Sequence, residues 1–150
     1  MIKKFKKFTK LSSEEKKLFL EAYVTLGIIR AAILTLSFKR LTRALEQCPE
    51  KKELPKLSEE EMRTVQIVGK SITRAAAYTP WKSACLVQSL CAQRMLKKRA
   101  ISGVFYLGVM KDEESKAKMK AHAWSQCGDI IVTGAKGHES FTILSLFSWR

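Results

Sequence analysis

The apolar residues of this chain change their period once. From Leu18 to Leu96 they recur at intervals of three and four, the spacing of a helix face. From Val104 to Trp149 they form short β-branched and aromatic blocks separated by glycine turns. Helices first and antiparallel strands second restrict the chain to an α+β arrangement, a helical layer against one sheet. At 150 residues it is long enough for one domain that buries roughly two-thirds of its unfolded surface.

The punctuation supports this division. Ser12-Ser13-Glu14-Glu15 reads as a helix start, with a serine cap and carboxylates at the positive end of the dipole. Leu18, Ala22, Leu26, Ile29, Ile33 and Leu36 then form a core-facing stripe, with a break expected near Gly27. The segment approaches the length of a membrane span. Glu21 and Arg30 argue against one, because each costs roughly 2.5–3.5 kcal/mol near a bilayer centre. It reads as a buried core helix, and surplus apolar surface on it would dock a partner protein. A helical continuation over Phe38–Leu45 and a proline-broken linker over Cys48–Pro55 follow. Ser58 and Glu61 frame a second capping box, opening a helix towards Ala77 that Pro80 closes. A third helix is predicted from Ser83 to Lys98. Strands are predicted over Val104–Val109, Ala121–Gln126, Ile130–Thr133 and Phe141–Trp149.

The net charge of +14 calls for an acidic partner, whether nucleic acid, an anionic membrane surface or an acidic peptide. Lys3, Lys4, Lys6, Lys7 and Lys10 supply part of it from a terminus with Ile2, Phe5 and Phe8 between them. The four cysteines form no Cys-x-x-Cys pair, and the two histidines complete no zinc-ligand pattern. The basic start has no apolar signal core behind it, so the expected compartment is the cytoplasm, with free thiols.

The chemistry concentrates at Thr79-Pro80-Trp81-Lys82-Ser83-Ala84-Cys85. Cys85 falls in the first turn of a predicted helix, where unsatisfied amides and the aligned dipole favour a thiolate. Cys91, mid-helix, reads as inert core, and Cys127, beside Gly128, as an exposed turn residue without a base. His122, in Ala121-His122-Ala123-Trp124, is the candidate base, whereas His138 reads as a solvated loop residue. A third partner would fix the imidazole tautomer; Asp129, Glu139 and Gln126 are the candidates. Trp81 and Trp124 flank the pair as core residues or as walls of a substrate groove.

The succession Arg74…Thr79-Pro80-Trp81…Cys85-Leu86…Ser89-Leu90…Met95-Leu96…Leu107-Gly108-Val109…Ala121-His122-Ala123-Trp124…Gly128 resembles the B2 proteins of lasso peptide biosynthesis. Those are transglutaminase-like cysteine proteases that remove the leader from a ribosomal precursor. The resemblance spans about Leu11 to the C-terminus. It implies a transglutaminase/papain-like core over residues 79–150, its nucleophile helix packed on an antiparallel sheet. A helical region over residues 1–78 would pack on that core and bind partner and leader, giving one compact domain overall. It implies Cys85 as nucleophile, His122 as base and a downstream aspartate as third member. Asp129 is the one aspartate after His122, with a backbone carbonyl or Gln126 as the alternative. It further implies a separate leader-recognition protein, called B1, together with the precursor leader and an ATP-dependent cyclase as partners, and neither metal nor organic cofactor.

Two competing readings remain. The same thiol chemistry could form cross-links or amides in the transglutaminase manner. A nucleic-acid-binding module would use the charge, but the lysines are interleaved with acidic residues and carry no recognition-helix or glycine-aromatic RNA signature, so no nucleic acid is expected.

Overall fold

A computed structural model describes residues 9–43, 46–48, 54–81, 83–111, 114 and 118–149. The basic stretch before residue 9 and most of the expected linker lie outside them. Ser12 Oγ accepts from the Glu15 amide at 3.2 Å and starts α1, Ser13–Thr35. The helix runs through Gly27 without the expected break. A Cβ there would stand 3.1 Å from the Trp81 ring, so the glycine makes room for an indole instead of ending a helix. Leu18, Ala22, Leu26 and Ile29 are buried as predicted, but Leu36 is exposed and Ile33 only half-buried. The predicted continuation to Leu45 reduces to one turn, α2, Phe38–Leu41, capped by Ser37.

A short strand, β1, Glu46–Cys48, precedes the expected linker and overlaps it only at Cys48; Glu46 pairs with Ser148 and Cys48 with Leu146. Its pairing is with the last strand of the chain, a non-local contact that no local propensity announces. The capping box at Ser58 is formed in both directions, at 2.9 and 3.1 Å, and opens α3, Glu59–Ala76. The third long helix, α4, spans Cys85–Lys98. The strands β2, Gly103–Lys111; β3, Met119–Cys127; β4, Ile130–Thr133; and β5, Thr142–Trp149, complete an antiparallel sheet ordered β1-β5-β2-β3-β4.

The long helices cover one face of this sheet. Ala22 and Leu26 of α1, Val68 and Ile72 of α3, and Cys91 and Leu96 of α4 share a core with Phe105, Ala123, Cys127 and Phe147. The α+β class is as the sequence predicts. Strand side chains alternate between faces, so Val104, Tyr106, Trp124 and Leu146 form a second, smaller cluster on the other side, partly covered by Leu54, Ile131 and Phe141.

Candidate active site

The segment between α3 and α4 is held by one threonine. Thr79 Oγ1 lies 3.0 Å from the Ala76 carbonyl and 3.1 Å from that of Trp81. Both oxygens accept only, so they share its proton, and the Ser83 hydroxyl at 2.8 Å donates to Thr79. Gln88 Nε2 donates back to the Ser83 carbonyl at 2.9 Å. With its hydroxyl thus engaged, Ser83 does not cap α4. The N-cap is Ala84, no side chain caps the helix, and the first helical bond runs from the Gln88 amide to the Ala84 carbonyl. The amides of Cys85, Leu86 and Val87 therefore point out of the helix start without intrahelical partners. The Trp81 ring packs on Gly27 and meets Tyr23 edge-on at 5.2 Å, fastening this segment to α1, and its indole N–H is buried without a partner among the described residues.

Burial separates the thiols. Cys91 and Cys127 have no exposed surface, and burial pushes both thiols up to about 12. Cys85, at the first position of α4, is partly exposed. The expectation of an exposed Cys127 is corrected: it is the last residue of β3, on the face under the helices, where Gly103 gives it room. Cys48's side chain lies outside the description.

His122 sits in β3 opposite Gly108 of β2. Because Gly108 has no side chain, Trp124 and Phe141 close in beside the imidazole. The ring stacks on Trp124 at 5.7 Å and 24°, and lies 5.0 Å from Phe141. Its Nε2 is 2.8 Å from the Gly134 carbonyl oxygen. A carbonyl only accepts, so Nε2 carries the proton and Nδ1 of the neutral ring keeps the lone pair of a base. Gly134 follows β4 with φ +76°, and a Cβ on it would stand 2.9 Å from Trp124 Cβ, so this approach requires glycine.

A buried chain of hydroxyls sets the helix over this end of the sheet. Thr133 Oγ1 meets Ser89 Oγ of α4 at 3.0 Å and Ser125 Oγ of β3 at 2.7 Å. Cys85 is one helical turn, about 6 Å, before Ser89. The other end of α4 leads into Gly103, which lies by Cys127. Cys85 and His122 thus come to the same end of the sheet. By strand alternation His122 shares the Trp124 face, away from α4, so the thiol and imidazole would meet around the sheet's rim. No hydrogen bond joins them among the described residues.

The proposed third members lie elsewhere. Asp129 is exposed in the β3–β4 turn, and Cys127, beside that turn, is five strand residues, about 17 Å, from His122. Gln126 donates to the Gly128 carbonyl, and Glu139 is exposed beside His138. The Gly134 carbonyl takes the orienting position; in sequence its only signal was the alternative of a backbone carbonyl. Trp124 is only 4% exposed, stacked on Tyr106 at 5.3 Å, and supports His122 from below instead of presenting a groove wall. His138 is not the solvated residue expected: its ring lies 5.6 Å from Trp124, and its Nδ1 bonds the Ala135 carbonyl, folding the segment that presents Gly134. Phe141, Thr133 and Ser125 had no sequence signal, and Ser89 appeared only within the family resemblance, since each matters through a contact across elements. No group of three or more His, Cys, Asp or Glu side chains suited to a metal occurs among the described residues.

The profile of the transglutaminase-like superfamily matches residues 26–146, from the middle of α1 to β5. No curated protein and no solved structure matches the chain at a significant level.

Proposed function

Because the chain belongs to the transglutaminase-like superfamily, typically cysteine-based enzymes, we propose that it is a cysteine peptidase removing the leader from a lasso peptide precursor. The family match supports thiol chemistry, and the resemblance around Thr79–Leu90 and Ala121–Trp124 supports the narrower substrate. The observation that carries the reading is the contrast among thiols. Cys85 alone of the three described ones begins a helix with open amides and keeps access to solvent.

In this reading Cys85 Sγ attacks the carbonyl carbon at the leader–core junction while His122 Nδ1 accepts the thiol proton. The C–N bond breaks as that proton passes to the leaving amine, which leaves as the core's new N-terminus. Water then cleaves the thioester, its proton taken by Nδ1, and releases the leader as a carboxylic acid. The amides at the start of α4 are suited to the oxyanion. His122 must come round the rim of the sheet to reach Cys85. A separate leader-recognition protein would present the precursor to the helical region, in the cytoplasm, and the core would pass to an ATP-dependent cyclase. No metal or organic cofactor enters these steps.

The test is incubation of precursor and recognition protein with the wild type and with Cys85→Ala, read by mass spectrometry. Loss of the leader with wild type and an intact precursor with the variant is the expected pair. Unchanged cleavage by Cys85→Ala overturns the proposal, and loss of ammonia in place of the leader assigns the cross-linking alternative.

A further inference from the structure

The side of α1 turned away from the core is apolar and uncovered. Leu20, Val24, Ile28 and Leu34 are 55%, 58%, 48% and 69% exposed, and Ala31 lies among them. Their spacing keeps them on one stripe about 21 Å long. Basic residues gather after it, at Lys39, Arg40 and Arg43, with the half-exposed Phe38 beside them; before it the exposed Lys17 follows Glu14 and Glu15 of the first turn. The only carboxylate between Lys17 and Arg43 is Glu21, which is turned to Arg99 of the α4 end at 2.6 and 3.0 Å.

By length and composition the helix is apolar enough to cross a membrane, yet only 28% of its apolar stretch is buried. Leu18, Ala22, Leu26 and Ile29 on its other side belong to the domain core, so α1 cannot leave the domain to span a bilayer. It can lie on one. A helix with one committed face, an apolar outer stripe, and cations and an aromatic at its ends has the composition of an interfacial element. We propose that α1 docks the protein on an anionic lipid surface, its stripe at the acyl boundary and Lys17, Lys39, Arg40 and Arg43 among the headgroups.

Charge chooses between occupants. A second copy would bring another chain of net charge +14 against this face. A protein partner would need an acidic group set against Lys39, Arg40 and Arg43 and apolar surface along the stripe; an anionic bilayer offers both everywhere. The consequence is a peptidase held at a membrane surface, with the orientation of the Trp81 loop fixed through its packing on Gly27 and Tyr23.

The experiment is co-sedimentation of the whole protein with vesicles of equimolar phosphatidylcholine and phosphatidylglycerol, beside pure phosphatidylcholine. Binding is expected to the anionic vesicles and to fall with salt. A Leu20→Ser/Val24→Ser/Ile28→Ser variant, its fold checked by circular dichroism, should bind at least about 10-fold more weakly. Lys39→Glu/Arg40→Glu, which leaves the stripe intact, should lose preference for the anionic vesicles and provides the readout if the serine variant misfolds. No binding to anionic vesicles overturns the proposal. So does equal binding by the folded serine variant, which would mark simple adsorption of a basic protein. A wild-type dimer that the serine variant abolishes would assign the stripe to a second copy and also overturn it.

Discussion

A main-chain carbonyl and a carboxylate do different work beside a histidine. Both fix the tautomer, but only the carboxylate brings a full negative charge to stabilise the imidazolium that forms when the thiol proton moves. In this chain the Gly134 carbonyl holds Nε2 and Asp129 stands at the far turn. Asp129→Asn is therefore expected to leave the proposed cleavage within about twofold, since its charge is screened over that separation. Gly134→Ala should lower kcat by about tenfold or more, because a Cβ at φ +76° costs roughly 1–2 kcal/mol and crowds Trp124, moving the carbonyl off the imidazole. Thermal melts would separate a shifted site from a collapsed fold. Abolished cleavage in Asp129→Asn with full activity in Gly134→Ala would restore the aspartate. At this scale Cys85 and His122 were legible as residue types in context. Cys127 was misjudged because a residue next to a turn glycine can still be the inward-facing end of its strand.

At the scale of elements, the two ends of α4 differ in kind. Its start is open, as a site requires; its end is closed by a Schellman motif. The Ile101 amide bonds the Leu96 carbonyl and the Ala100 amide that of Lys97, with Leu96 and Ile101 both buried. Ala100 carries the motif at φ 59°, where a Cβ is strained. Ala100→Gly is expected to stabilise the protein by about 1 kcal/mol, a rise of roughly 2–4 °C in the unfolding midpoint, read by calorimetry. A fall would mean the strain is relieved elsewhere. One residue earlier, Arg99 grips Glu21 of α1 with both guanidinium ends, and Lys98 stands 3.6 Å away. The hydrogen bond from Arg99 chiefly holds the Glu21 carboxyl below its ordinary value. Such a carboxylate adds stability that is complete above the unfolded-state pKa and fades as pH falls through the folded one. Urea unfolding should show Glu21→Gln about 1 kcal/mol less stable than wild type near neutrality, with the gap closing as pH falls below the ordinary carboxylate range. A gap that persists in acid would assign the loss to packing. The sequence offered Glu21 only as an obstacle to membrane insertion; its partner lies 78 positions away and no local pattern pairs them.

For the molecule as a whole, the helix and strand periods identified the layers, but not how the chain closes them. The sheet order depends on β5 lying between β1 and β2, and β1 exists only because β5 is there to pair with it. The same interlocking bears on the helices. Residues 79–150 contain every residue assigned to the chemistry, yet α4 buries Cys91 and Leu96 in a core shared with Ala22, Leu26, Val68 and Ile72, and the Cys91 thiol lies 3.9 Å from the Ala22 carbonyl. Removing α1 and α3 would expose that whole face of α4 and of the sheet beneath it. Recovering the loss would need another layer, because a sheet with one bare apolar face is not stable alone. A fragment of residues 79–150 is therefore expected to show the narrow amide dispersion of an unfolded or aggregating chain in proton–nitrogen spectra. The full chain should unfold in one urea transition, with tryptophan fluorescence and far-ultraviolet dichroism coinciding. A well-dispersed spectrum from the fragment, or separate transitions for the two probes, would show instead that the strand half holds its shape without the helices, and that the end of the sheet carrying Cys85 and His122 is built without α1.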